Sequence, residues 1–154
     1  YSPSIVDLYA KGISTSSMSK VFSLAGLRLG WVVAPLEVIE KASGTRDYNM
    51  ISCGVISEAI ASKALKNKIK LLERNLRIVR TNIEILDQWV NNEPHISYIK
   101  PKAGTSAILY YDVDISSTEL GKYLLNEKGL LTVPGDGFEM GRCFRVGYAF
   151  NSDE

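Results

Sequence analysis

A single lysine stands in a run of small hydroxyl residues near the start of the chain, in the segment STSSMSKVFSLAGLRLGW (residues 14–31). Lys20 follows Ser17 and Ser19, and Arg28 comes eight residues later, between two glycines. A lysine amine that loses its proton is a nucleophile that forms a Schiff base with a carbonyl compound. Serine hydroxyls and a guanidinium are donors that suit phosphate oxygens. These residue types favour a ligand that is both an aldehyde and a phosphate ester, as pyridoxal phosphate is.

The glycines around Arg28 support the same interpretation. Gly26 and Gly30 are expected to let the backbone pass close to the ligand or to adopt positive φ. Taken by itself, however, the segment also fits an ordinary lysine in a solvent-exposed, serine-rich loop.

A second cation lies in the middle of a predicted strand, CFRVGYAF (residues 143–150). Alternation along the strand places Arg145 on the face opposite Phe144 and Val146. A guanidinium held among small residues suits a planar anion such as a carboxylate, bound through two hydrogen bonds. A structural ion pair with an acidic residue is the alternative, and nearby Arg142 is interpreted as a turn residue.

Other polar motifs favour structural roles. The glycines at 135, 137 and 141 lack the spacing of a dinucleotide-binding fingerprint and precede a strand, so they predict a turn. His95 has no predicted metal or catalytic partner, and Asp112 and Asp114 are interpreted as solvated loop charges. Cys53 and Cys143 match no metal-ligand spacing and are expected to be reduced thiols of a cytoplasmic protein. No metal site is predicted.

Composition is that of an ordinary globular protein. The chain has 154 residues, 45% hydrophobic and 23% charged, and a net charge of +1. This balance indicates no nucleic-acid or membrane partner, and no apolar run is long enough to span a bilayer. The sequence begins without methionine and ends in a helix-capping pattern, so we expect a fragment of a longer protein.

The elements in the first half are predicted from periodicity and turn signals. Residues 14–19 are expected to be a polar loop, and LGWVVA (29–34) is expected to be a buried strand. Pro35 is expected to begin a helix that Gly44 ends. From about 54 to 92 an apolar stripe predicts one helix, roughly 55 Å long. The basic residues beside the stripe are interpreted as a solvated face.

The last third is expected to alternate between strands and a helix. Strands are predicted at 95–99, 106–113, 130–134 and 143–150. Ser116 and Glu119 have the spacing of a capping box, which begins a helix that Gly129 ends.

The segment from Ser17 to Gly30 resembles the lysine motif of class I and II (fold type I) pyridoxal-phosphate-dependent aminotransferases. The resemblance implies that Lys20 is the Schiff-base and catalytic lysine and that Ser17, Ser19 and Arg28 bind the cofactor. It also implies an α/β fold: the end of a large domain (1–68, with the start of a long linking helix) and a small α+β C-terminal domain (69–154), which is expected to be cut at its end.

The resemblance continues to a Pro134-Gly135 turn before the strand that carries Arg145, which matches the residue that binds the substrate carboxylate. It implies transfer of an amino group between an amino acid and a 2-oxo acid. It also implies a homodimer, in which residues 46–49 would lie near the partner subunit. A lyase or decarboxylase on the same fold is the alternative, as is a non-catalytic α/β interaction domain. The resemblance implies that most of the residues that bind the cofactor ring lie upstream of the position of Tyr1, so the fragment alone is expected to be inactive.

Overall fold

The serine-rich segment is a β-strand in the computed structural model of this protein, which describes residues 3–150. Strand β1 (Ser14–Ser17) pairs antiparallel with β2 (Gly30–Val33), so that Ser17 lies opposite Gly30. The predicted polar loop is therefore wrong, because pairing with β2 outweighs the low strand propensity of serine. The strand predicted at 29–34 is present but not buried: Trp31, Val32 and Val33 are exposed in this two-stranded sheet.

The helices of the first half are α1 (Ile5–Leu8), α2 (Leu36–Arg46) and α3 (Val55–Lys66). Pro35 is the N-cap of α2, as its position predicts. Gly44 does not end this helix, which continues to Arg46. A glycine ends a helix by adopting a left-handed conformation, and Gly44 does not have positive φ.

The apolar stripe between 54 and 92 belongs to two helices and not to one. Helix α4 (Lys68–Asn92) follows α3 after a break at Asn67, whose φ and ψ are −107° and 21°. The Asn67 side chain donates to the Lys63 carbonyl oxygen at 2.8 Å. Asparagine competes for backbone groups in this way and is a poor helix former. The 25 residues of α4 span about 37 Å.

The chain forms two compact units that meet in sequence at Asn75 and Leu76. In the first unit, Met18 (1% exposed) and Phe22 are buried with Ala61 and Ala64 of α3. Both sides of Lys20 are thus fixed by apolar contacts. The functional division at residues 68 and 69 stays a prediction.

The second unit is built on a four-stranded antiparallel sheet in the order β3-β4-β6-β5. The strands are shorter than predicted but lie in the predicted places: β3 (Ile96–Tyr98), β4 (Ser106–Tyr111), β5 (Val133–Pro134) and β6 (Cys143–Gly147). Val90 of α4 is buried against Leu109, Phe144 and Tyr148. The apolar stripe of α4 therefore forms one wall of this core.

Helix α5 (Ser117–Lys128) has the predicted ends. The Ser116 hydroxyl accepts from the Glu119 amide at 3.2 Å, and the Glu119 carboxylate accepts from the Ser116 amide at 3.3 Å. Gly129 closes the helix in the left-handed region at φ +65°. Among the helices described, none combines the length and the apolar composition that a membrane crossing requires.

Candidate functional site

Lys20 lies in a turn that begins where β1 ends. The Ser17 hydroxyl accepts a hydrogen bond from the Ser19 amide at 3.3 Å, and both serines are half-buried. The Lys20 carbonyl oxygen accepts from the Ser23 amide at 3.1 Å, whereas the Lys20 side chain is exposed. Backbone hydrogen bonds close the turn and fix the main chain that carries the exposed Lys20 side chain.

Arg28 is held in an unusual backbone conformation at the end of a short 3-10 turn, Ala25–Leu27. Its φ of 54° lies in the left-handed region, which costs free energy for a residue with a Cβ. The Arg28 Nη1 donates to the Ala25 carbonyl oxygen at 2.9 Å. Positive φ was one of the two alternatives expected for Gly26 and Gly30, and neither glycine has it, because the turn places a left-handed residue, Arg28, between them.

Gly30 makes the close approach that was expected of a glycine here, but to protein backbone. A Cβ on Gly30 would lie 2.7 Å from the Ser16 carbonyl oxygen, whereas a Cβ on Gly26 would have open space around it. Only a glycine at residue 30 lets β1 and β2 lie this close.

The pairing of the two strands brings Ser17 and Arg28 together. The Met18 amide donates to the Leu29 carbonyl oxygen at 3.0 Å, so the residues that directly follow Ser17 and Arg28 are hydrogen-bonded neighbours. Asn75 of α4 also supports the turn, since its side chain donates to the Val21 carbonyl oxygen at 2.9 Å. The backbone of β1 and of its connection to β2 therefore carries all four sequence-predicted residues, Ser17, Ser19, Lys20 and Arg28, and this group is called the cofactor cluster below.

Arg145 lies in the second unit, on the central strand β6. It is opposite Ile108 of β4 and Val133 of β5, and its side chain is exposed. Among residues 3–150 it forms no salt bridge. Phe144, on the opposite face of the strand, is buried, as the predicted alternation requires. Cys143 is buried as well, although it lies on the same face as Arg145.

Phe138 is a functional candidate that sequence reasoning missed. It ends a 3-10 turn, Gly135–Phe138, and its ring centre lies 5.6 Å from the guanidinium carbon of Arg145. At this separation a guanidinium is attracted to an aromatic face. Spacing could have suggested a turn residue near Arg145, but the pairing of the two side chains has no local sequence signal.

The turn that carries Phe138 is fastened to α5. The Asp136 carboxylate accepts from the Thr118 hydroxyl at 2.7 Å and from the Thr118 amide at 2.9 Å. The Asp136 amide donates to the buried Ser117 hydroxyl at 2.8 Å. These donors hold the pKa of Asp136 below its ordinary value, the Thr118 hydroxyl most of all. The glycine-rich segment is thus a turn between strands, as predicted.

The remaining polar candidates form surface pairs. His95 Nδ1 lies 2.8 Å from the Asp112 carboxylate, and Arg142 is paired with Asp114. Burial raises the pKa of the Cys143 thiol above its ordinary value, which keeps it protonated. In the part of the chain that the structure describes, no three His, Cys, Asp or Glu side chains are grouped to hold a metal ion.

Comparisons with known proteins point to one family. The model of the family described as "Aminotransferase class I and II" matches residues 3–154. A solved structure of a pyridoxal-phosphate-dependent aminotransferase from Streptococcus suis is 40% identical in sequence, with a TM-score of 0.95, over 98% of this chain and 40% of that chain. The fold expected for the C-terminal part of a fold type I enzyme is thereby confirmed.

Two curated relatives differ in the activity that their names describe. Capreomycidine synthase of Streptomyces vinaceus is 29% identical over 89% of this chain and 36% of its own length. Aspartate aminotransferase of Pyrococcus abyssi is 30% identical over 95% of this chain and 39% of its own length. The chain thus spans well under half of the length of either relative.

Proposed function

The chain belongs to the class I and II aminotransferase family, and from this membership we propose that it is the C-terminal part of a pyridoxal-phosphate-dependent aminotransferase. The complete protein would move an amino group between an amino acid and a 2-oxo acid. The observation that carries the proposal is the cluster of two hydroxyls, an ammonium and a guanidinium around the β1 turn. A homodimer in the cytoplasm is part of the same proposal.

The residues of the cluster fit pyridoxal phosphate. Ser17, Ser19 and Arg28 supply hydroxyl and guanidinium donors for phosphate oxygens, and Arg28 uses only one of its N–H groups on Ala25. Lys20 supplies an exposed amine for the aldehyde. When bound, the cofactor supplies an electron sink for the bond that breaks at the substrate α-carbon.

Lys20 has two tasks in this proposal. It would hold the cofactor, and its amine, once free, would move a proton from the substrate α-carbon. The Leu24 amide donates to the Met18 carbonyl oxygen at 3.0 Å and closes the turn, which fixes the backbone that carries the Lys20 amine.

Arg145 binds the substrate carboxylate through two parallel hydrogen bonds. Its exposed guanidinium has Phe138 beside it, and Phe138 cannot accept those hydrogen bonds. Its planar N–H donors stay available for an anion. A lysine at this position would lack the two parallel donors.

A second candidate is a pyridoxal-phosphate enzyme with another reaction, such as a lyase or decarboxylase. The similarity to a capreomycidine synthase supports this second candidate, because the name of that relative describes an activity other than transamination. A half-reaction with a panel of amino acids separates the two. Conversion of the cofactor to pyridoxamine phosphate supports transamination, whereas release of ammonia and a 2-oxo acid supports a lyase.

The experiment for Lys20 uses borohydride reduction of the complete protein loaded with pyridoxal phosphate. Reduction fixes the cofactor on the lysine that holds it, and peptide mass spectrometry then locates the added mass. We expect it on Lys20, with Lys20→Arg losing the modification and Lys11→Arg keeping it. A modification on any other lysine would overturn the assignment. The isolated 154-residue chain should show no transamination, since the family residues that bind the cofactor ring are expected upstream.

A further inference from the structure

One asparagine of α4 holds the chain that follows the Arg145 strand. The Asn82 side-chain nitrogen donates to the Tyr148 carbonyl oxygen at 2.8 Å and to the Phe150 carbonyl oxygen at 2.6 Å. Both acceptors come just after β6 ends at Gly147. Carbonyl groups that leave a sheet lose their partners in the ladder, and Asn82 replaces those partners.

Within the described chain, the oxygen of the Asn82 amide makes no comparable contact, so the side chain acts through its donating nitrogen. Its oxygen is buried, and no donor from residues 3–150 reaches it. Asparagine is also a poor residue for the interior of a helix. Asparagine at this position thus has two unfavourable features, a low helix propensity and a buried oxygen without a donor among the described residues, and the two hydrogen bonds that it donates offset them.

Tyr148 extends the connection to the turn before β4. Its amide donates to the Thr105 carbonyl oxygen at 3.0 Å, and its hydroxyl donates to the Gly104 carbonyl oxygen at 3.1 Å. Burial raises the pKa of Tyr148, which keeps the phenol protonated as a donor. Gly104 has φ +100°, a conformation that strongly favours glycine. Asn82, Tyr148 and the 104–105 turn thus form one hydrogen-bonded network.

We propose that Asn82 is a positioning residue for Arg145, which fixes the end of β6 and the 104–105 turn so that the guanidinium meets a substrate carboxylate in one orientation. Arg145 lies three residues before Tyr148 on the same segment. If the Asn82 hydrogen bonds to this segment were lost, Arg145 would keep its charge, but its guanidinium would no longer be held in one orientation. The effect should fall on the carboxylate and not on the rest of the substrate. This inference rests on the proposed function of Arg145.

The test compares variants of the complete enzyme loaded with pyridoxal phosphate. Asn82→Asp keeps the shape of the side chain but replaces both donors with an acceptor that faces two carbonyls. Asn91→Asp makes the same change at an exposed position of α4 and is the matched control. Asn82→Ser, which retains one donor, serves if the aspartate variant does not fold.

Two measurements are made with the best amino acid of the panel and with its carboxamide as a competitive inhibitor. We expect Asn82→Asp to raise KM for the amino acid about tenfold, because two hydrogen bonds are lost. The kcat value and the inhibition constant of the carboxamide should stay within about twofold of the parent. Asn82→Ser should raise KM less, and Asn91→Asp should change nothing.

Hydrogen exchange of the peptide around residues 143–150 gives a readout without substrate. Exchange at the Tyr148 amide should be faster in Asn82→Asp and unchanged in Asn91→Asp. Equal losses for the amino acid and its carboxamide, or unchanged exchange, would overturn the inference. Arg145→Ala separates this from failure of the proposed function: if it leaves the preference for the carboxylate intact, the role of Arg145 itself is wrong.

Discussion

The guanidinium carbon of Arg145 lies 5.6 Å from the centre of the Phe138 ring. The two residues belong to different elements, since Arg145 is on β6 and Phe138 ends the turn after β5. The ring attracts the cation without accepting its N–H groups in the plane of the guanidinium. Phe138 therefore limits the rotation of Arg145 while leaving its hydrogen-bond donors available for a ligand.

Phe138→Leu should weaken carboxylate binding by removing this contact. An exposed cation–π pair contributes about 0.5–1 kcal/mol, which corresponds to an increase of roughly two- to fivefold in KM. Steady-state kinetics of the complete enzyme measure the effect. Phe138→Tyr retains a ring and should behave like the parent; if both variants raise KM equally, the ring contact has no role.

Gly30→Ala should disturb the cofactor cluster. Its Cβ would lie 2.7 Å from the Ser16 carbonyl oxygen, so β1 and β2 must separate next to Ser17. We expect at least a tenfold loss of affinity for pyridoxal phosphate, measured by titration of cofactor absorbance in the complete protein.

Gly26→Ala is the matched control for that change. The added methyl group at residue 26 would have no atom within 4 Å. Its cofactor affinity should equal that of the parent. The close-packing argument fails if the Gly26 variant loses as much affinity as the Gly30 variant does.

The stability of the second unit should fall on acidification, in part through Asp136. The Thr118 hydroxyl, first among its donors, keeps the pKa of folded Asp136 below its ordinary 3.8. The unfolded chain then binds more protons in this range. The stabilisation is fully present above the ordinary pKa and is lost as the pH falls through it toward the folded value.

Asp136→Asn should therefore flatten the fall in the urea midpoint between about pH 6 and pH 3. Thr118→Val keeps the shape of the side chain but removes one donor, and should flatten the fall as well. A parent-like slope in both variants would contradict this role for Asp136. Asp87 and Glu119, whose pKa values are also lowered, should keep part of the slope in either variant.

Leu109→Ala should strongly destabilise the second unit. Leu109 is 1% exposed in the core between β4, β6 and α4. Truncation of a buried leucine costs about 2–5 kcal/mol through lost burial and a residual cavity. Urea unfolding of the chain measures it, and Leu125→Ala, at a half-exposed position of α5, should cost far less.

Structural features that depend on residues close together in the chain could be predicted from the sequence. The capping box of Ser116 and Glu119 and the left-handed Gly129 depend on residues within one or two turns of α5, so spacing was enough to place them. The site proposed at Ser17, Ser19, Lys20 and Arg28 rests on spacing as well, because its members lie within twelve residues. The family comparisons agree with that motif.

Contacts between distant segments were decided only by the tertiary structure. Strand β1 exists because β2 pairs with it, although serine favours loops, and the chain between the two strands adopts positive φ at Ser23 and Arg28 and not at its glycine. Asn82 reaches Tyr148 across 66 residues. Sequence patterns encode interactions between neighbours in the chain, whereas a hydrogen bond between distant segments depends on how the whole unit packs. Spacing in the sequence was therefore enough to propose the reactive groups, whereas the long-range contacts that support their backbone were found only in the structure.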